Sequence, residues 1–134
     1  MAVITDRLTE LAAAAKSASE AAYSPYSNFA VGAAILTRNG DVFTGCNVEN
    51  ASFGLTICAE RNAAFQAVAQ GQREISAVAI YTPTPTPTAP CGACRQVLFE
   101  FGPDAQVYCI CDGEDVIHST VSDLLPDAFG PDDV

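Results

Sequence analysis

Basic side chains are scarce: six Lys and Arg stand against sixteen Asp and Glu, for a formal net charge of −10. Such a surface repels phosphate backbones, and no Lys/Arg cluster offsets it, which argues against nucleic acid and anionic membrane as partners. Long apolar runs are missing too. The opening MAVITDRLTE carries Asp6, Arg7 and Glu10, and no stretch approaches the length of a membrane span. Neither a secretory signal nor a transmembrane helix is expected. No repeat of solenoid length and no low-hydropathy block appears, which excludes arrays and disorder. The expected location is the cytoplasm, where thiols stay reduced. There, six cysteines point to metal, catalysis or core filling before disulfides.

What is present suits one compact domain over residues 1–134, with 49% of the residues apolar and a core that needs no staples. TDRLTELAAAAKSASEAAY places Leu8, Leu11, Ala12, Ala15, Ala18 and Ala22 on one helical face. Thr5 is its expected N-cap and Pro25 its stop. FAVGAAILT and DVFTGCNVE flank Asn39-Gly40 and read as a hairpin. CAERNAAFQAVAQG reads as a second helix that Gly71 ends, and ISAVAIYT as a buried strand. TPTPTPTAP is a stiff connecting loop, because proline lacks the amide donor and extends its predecessor. A third helix follows from about Pro90, then a strand AQVYCICD and a turn at Asp112-Gly113. A short strand near Ile117 and a helical turn in VSDLLPDAF close the chain. The order α-β-β-α-β-α-β-β-α belongs to the α/β class, one sheet covered by helices.

Cys91 and Cys94, in TAPCGACRQVLFEF, stand at the start of the third helix. Their spacing serves a redox dithiol, half of a structural zinc ribbon or part of a catalytic zinc site. The second C-x-x-C of a ribbon is missing. Cys109 and Cys111 share one side of a strand and are expected in the core, and Cys46 is expected to pack. Cys58, in ICAERN, starts the second helix two residues before Glu60. Helix N-termini carry partial positive charge, which favours thiolates and metal binding. Three cysteines with an unattached carboxylate point to an open site: one Zn²⁺ per chain held by Cys58, Cys91 and Cys94, with a position left for water. Glu60 is the expected proton carrier. Three thiolates oppose ionisation of that water, and Arg61 or Arg95 compensates if it hydrogen-bonds a thiolate. His118, the only histidine, lies far in sequence from both motifs and is expected outside the chemistry.

A cysteine two residues before Glu, followed by P-C-x-x-C, is a signature of zinc nucleobase deaminases. Together with YSPYSNFAVGAA, GCNVENAS, CAERNAAF, PCGACRQV and LLPDAF, nearly the whole chain resembles a small, homotetrameric-type cytidine deaminase. The resemblance implies a three-layer α/β/α fold with one mixed sheet of about five strands flanked by helices. It implies hydrolytic deamination of cytidine and 2'-deoxycytidine to the uridines with release of ammonia, a step of pyrimidine salvage. In that chemistry zinc-bound hydroxide attacks C4 of the ring while Glu60 shuttles protons. By the same resemblance Phe29 packs against the nucleoside and Asn47 and Glu49 bond the ribose. The backbone at Ala59 and the side chain of Glu60 read the pyrimidine, and Phe129 reaches a neighbouring subunit's site in a homotetramer. Phe53 stands where many relatives have tyrosine, so any contact of that hydroxyl is absent. Three alternatives share part of the pattern. A blasticidin-type aminohydrolase has the same zinc motifs, but NVEN favours a substrate bearing ribose. A non-enzymatic structural zinc module needs a fourth protein ligand and no Glu60. A redox dithiol needs Cys91 and Cys94 to cycle without metal.

Overall fold

The computed structural model describes residues 2–134, with side chains from Arg7 onward. Its elements are α1 (Ala2–Ser19), β1 (Gly32–Thr37), β2 (Val42–Cys46), α2 (Ala59–Ala69), β3 (Ile75–Tyr81), α3 (Gly92–Phe101), β4 (Gln106–Ile110), β5 (Ile117–Thr120) and α4 (Val121–Leu124). The element order agrees with the sequence reading, and 3₁₀ turns at Phe53–Leu55 and Pro131–Asp133 are additions to it. The five strands form one sheet in the order β2-β1-β3-β4-β5. It is mixed: β3 and β4 are parallel, and the other neighbours are antiparallel. A parallel pair needs a crossover, and the proline-rich loop with α3 supplies it.

Alternation along the strands divides two cores between the faces of the sheet. On one face Leu11 and Ala15 of α1 meet Ala34, Ala77, Ala79, Tyr81 and Tyr108. On the other, Ala33, Ile35, Val78, Ile80, Val107 and Cys109 meet Ala59, Ala63 and Ala64 of α2 and Leu98 of α3. The result is the expected three-layer α/β/α arrangement. At Gly45 a Cβ would lie 2.4 Å from the amide nitrogen of Ala63, so β2 and α2 touch backbone to backbone there. Gly71, with φ +81°, follows the end of α2 as anticipated.

Several boundaries differ from the sequence reading. α1 begins at Ala2, so Thr5 lies inside the helix rather than at its cap. The helix stops at Ser19, short of Ala22, where the Ser19 hydroxyl donates to the Lys16 carbonyl at 2.6 Å. Glu20 and Ala21 then close tighter turns onto Ser17 and Ala18. β1 starts at Gly32 and not at Phe29, because Asn47 takes over the pairing with its side chain: Oδ1 accepts from the Val31 amide at 2.9 Å and Nδ2 donates to the Phe29 carbonyl at 2.7 Å. Cys109 is buried in β4, but Cys111 lies beyond the strand's end beside the carbonyls of Pro85 and Asp115. The two cysteines therefore do not share one strand face. No helix among the described residues is long and apolar enough to cross a membrane.

Candidate metal centre and adjoining pocket

Cys58 is the N-cap of α2, Cys91 the N-cap of α3, and Cys94 sits in the first turn of α3. Packing of α2 against α3 brings the two helix starts together. The three sulfurs lie within 4.8 Å of one another, and no fourth His, Cys, Asp or Glu joins them among the described residues. Cys58 Sγ and Cys91 Sγ are 3.8 Å apart. A tetrahedral zinc with Zn–S bonds of about 2.3 Å puts its sulfurs about 3.8 Å apart, so donor type and spacing both fit the metal. With three protein ligands the geometry is that of an open site, which the structural-module alternative does not predict.

Arg61 donates from Nη2 to Cys58 Sγ at 3.5 Å, the guanidinium–thiolate contact that charge compensation requires. Its Nε is buried with no hydrogen-bond partner. In the metal-free protein the hydrogen bond from Cys94 lowers the Cys58 thiol to about 5, with Arg61 helping, while donating to Cys58 and burial push Cys94 up. The Arg61 guanidinium favours the thiolate at Cys58, and metal binding requires its ligands as thiolates. Arg95 departs from expectation. Its hydrogen bonds run to carbonyls, from Nε to Pro90 at 2.7 Å and from Nη1 to Leu124 at 2.9 Å, and not to a thiolate. The side chain leaves α3 toward α4, since the Pro90 carbonyl precedes α3 and the Leu124 carbonyl ends α4, where neither has an intrahelical partner. Glu60 is 4% exposed, and burial, reinforced by the charge on Cys58, raises its pKa.

A cavity of about 210 Å³ opens onto this cluster. Cys58, Ala59, Glu60 and Cys91 form its metal end, Phe29, Val31 and Asn47 one wall, and Thr56, Ile80, Thr82, Thr88 and Ala89 the remainder. Of the substrate-binding residues expected from sequence, Phe29, Asn47 and Ala59 meet here. Glu49 lines an adjoining hollow with Tyr26, Ser27, Phe53 and Thr56. Its Oε1 accepts from the amides of Tyr26 and Ser27, and Oε2 accepts from the Ser27 hydroxyl, contacts that keep its pKa low. Phe53 is 73% exposed and sets its ring edge-on to Tyr26. Phe129 lies outside both hollows, exposed on the C-terminal segment. His118 stacks on Tyr108 and bonds Gln106, away from the pocket. A larger groove of about 550 Å³ runs between α1, β2 and α2. It contains none of the cluster residues, so the smaller cavity is the one with chemistry. Sequence reasoning missed Thr56, Thr82, Thr88 and Ser27. Thr88 stood two residues before PCGAC and was the one with a signal. Thr82 looked like part of a linker, although it is buried and bonded to Thr84.

An open three-thiolate metal site at two helix starts, with a buried carboxylate beside it in a three-layer α/β/α fold, defines a zinc-dependent hydrolase of the deaminase class. Residues 5–111 match the family described as "Cytidine and deoxycytidylate deaminase zinc-binding region", and the chain belongs to that family. The cytidine deaminase of Halalkalibacterium halodurans is 51% identical over 118 residues, 87% of this chain and 89% of that protein. The cytidine deaminase of Mycobacterium tuberculosis is 45% identical over 120 residues, 90% of this chain and 87% of that one. Among solved structures, the cytidine deaminase of Burkholderia pseudomallei superposes with a TM-score of 0.87 at 54% identity, covering 90% of this chain and 98% of that one.

Proposed function

We propose that this chain hydrolyses cytidine and 2'-deoxycytidine to uridine and 2'-deoxyuridine, with one water consumed and one ammonia released. The observation that carries this reading is Glu60, buried at the floor of a nucleoside-sized cavity beside three thiols that fit zinc but not among the ligating atoms. Zinc, when bound by Cys58, Cys91 and Cys94, supplies a Lewis acid that lowers the pKa of coordinated water. Glu60 would take a proton from the attacking water and give it to N3 as the C4–O bond forms, and would then carry the C4 hydroxyl proton to the amine as the C4–N bond breaks and ammonia leaves. Burial raises the pKa of Glu60, the direction that a group which must both accept and give a proton needs. The amide of Ala59, first residue of α2, has no intrahelical acceptor, and Ala59 lines the cavity, which suits a pyrimidine carbonyl there. Phe29 packs on the ring. Asn47, with one amide hydrogen and one lone pair spent on the backbone, keeps one of each for a ribose hydroxyl. Glu49, held by Tyr26 and Ser27, presents its remaining lone pairs to the sugar.

Three further parts of the reading rest on family likeness. The chain works as a homotetramer with shared sites, in the cytoplasm, and Phe129 closes a neighbour's pocket. An exposed phenylalanine beside an acidic tail supports the Phe129 role. The deciding experiment is ammonia release from cytidine with zinc measured on the same sample, blasticidin S serving as the rival substrate. Turnover of cytidine with one zinc per chain is expected; zinc without turnover overturns the assignment. A fully active monomer by light scattering overturns the shared-site arrangement.

A further inference from the structure

The stretch after α4 is fastened by side chains of α3. Arg95 joins the carbonyl of Pro90, the residue before Cys91, to that of Leu124 at the end of α4. The next residue, Gln96, donates from Nε2 to the carbonyl of Phe129 at 2.8 Å. Gly130 then lies on the ring of Phe99, where a Cβ would come within 2.7 Å of a ring carbon, and its amide donates to the Asp133 carboxylate at 2.9 Å. Before it, Asp127 takes φ +54° and turns the chain. The backbone around Phe129 is thus fastened, yet the residue is 62% exposed. Fastening a backbone while leaving the aromatic ring in solvent gains nothing for the core. It fixes where the ring is presented.

We propose that Gln96 is a positioning residue for Phe129: by holding the Phe129 carbonyl it sets the placement of the ring, and through the ring the affinity for the nucleoside. The inference rests on the reading above in which Phe129 completes a neighbouring subunit's pocket. α3 begins with two of the metal ligands and, two residues after Cys94, carries this anchor. The metal end of one pocket and the phenylalanine offered to another are therefore indexed to one rigid helix. Ordering the ring before substrate arrives lowers the entropy lost on binding. The effect falls on KM, since Gln96 lines no part of the cavity.

The test compares Gln96→Met, which keeps length and helix propensity but loses the donor, with Gln96→Lys, which keeps a donor. Both are set beside Phe129→Ala and the Gln96→Met/Phe129→Ala double variant. Readouts are kcat and KM for cytidine, zinc per chain and thermal midpoint. Gln96→Met is expected to raise KM about 3- to 10-fold, the change that one ordinary hydrogen bond produces, with kcat and zinc content unchanged. Gln96→Lys recovers most of it. In the double variant Gln96→Met adds nothing to Phe129→Ala, as two changes on one path must. An unchanged KM in Gln96→Met beside a raised KM in Phe129→Ala overturns the role of Gln96 alone. A Gln96→Met effect that multiplies fully with Phe129→Ala also overturns it. An unchanged KM in Phe129→Ala overturns both the Phe129 reading and this inference, and a wild-type chain that releases no ammonia marks failure of the activity itself.

Discussion

Neighbouring residues of β1 and β3 go to opposite faces of the sheet, and the two faces are filled on different terms. The α1 face is covered by one long helix whose Leu11 and Ala15 settle on Ala34, Ala77 and Ala79. Its main polar feature is Tyr81, whose hydroxyl donates to Asp112, with Lys16 above the ring. The opposite face is covered by two shorter helices, and their starts bring in three thiols, Arg61 and the buried Glu60. A carboxylate at 4% exposure costs folding free energy wherever it is placed. One face contributes stability by apolar contact, and the other gives some of it up to hold Glu60 and Cys94 away from water. Helix starts explain the choice of face: their free amides and partial charge favour anions, which the middle of a helix does not.

Four substitutions test the contrast. Glu60→Gln removes proton transfer and keeps size, so turnover should fall by at least the ~10²–10⁴-fold typical of losing a general acid–base group. Zinc content should stay near wild type and thermal stability should not fall. A variant that deaminates cytidine near the normal rate would end the assignment. Cys91→Ser should lose zinc and activity together, since a hydroxyl is a poor substitute for a soft thiolate. Elemental analysis finding full occupancy in that variant would remove Cys91 from the ligand set.

On the α1 face the pattern should invert. Leu11 is 1% exposed, and Leu11→Ala should cost about 2–5 kcal/mol in chemical denaturation, as core truncations do. The zinc stoichiometry and KM of the folded protein should not change; a drop in zinc content would show that the faces are coupled. The smallest effect is expected at Tyr81→Phe. Its hydrogen bond to Asp112 pushes the phenol up to about 12, above the ordinary value near ~10. The stabilisation is therefore fully present below the ordinary value and is lost as pH rises toward the shifted one. Tyr81→Phe should cost about 0.5–1.5 kcal/mol at neutral pH and flatten that alkaline decline. An unaltered pH dependence between the two proteins would show that the bond contributes nothing.

Legibility followed range along the chain. C-x-x-C at a helix start places two thiols on one turn, and Cys58 with Glu60 spans the first turn of another, so both pairs were visible in a few residues. The element order was equally visible, because periodicity, Asn-Gly, Gly71 and the proline run are local signals. The ends of elements were less so. α1 stops where Ser19 bonds back to Lys16, and β1 is shortened by an asparagine sixteen residues away. The first is a short-range bond that helical periodicity does not register, and nothing local announces the second.

By itself the sequence determined the class of chemistry, since the residue types at two helix starts are those of an open zinc site with a proton carrier. Only the tertiary structure decided that the starts converge, putting Cys58 Sγ 3.8 Å from a sulfur 33 residues away. It alone sent Arg61 to a thiolate and Arg95 to two carbonyls, though both arginines follow motif residues in the same manner. It alone tied Phe129 to Gln96 and Glu49 to Ser27. A long side chain on a helix surface has several acceptors within reach, and which one it takes depends on what the rest of the chain packs beside it.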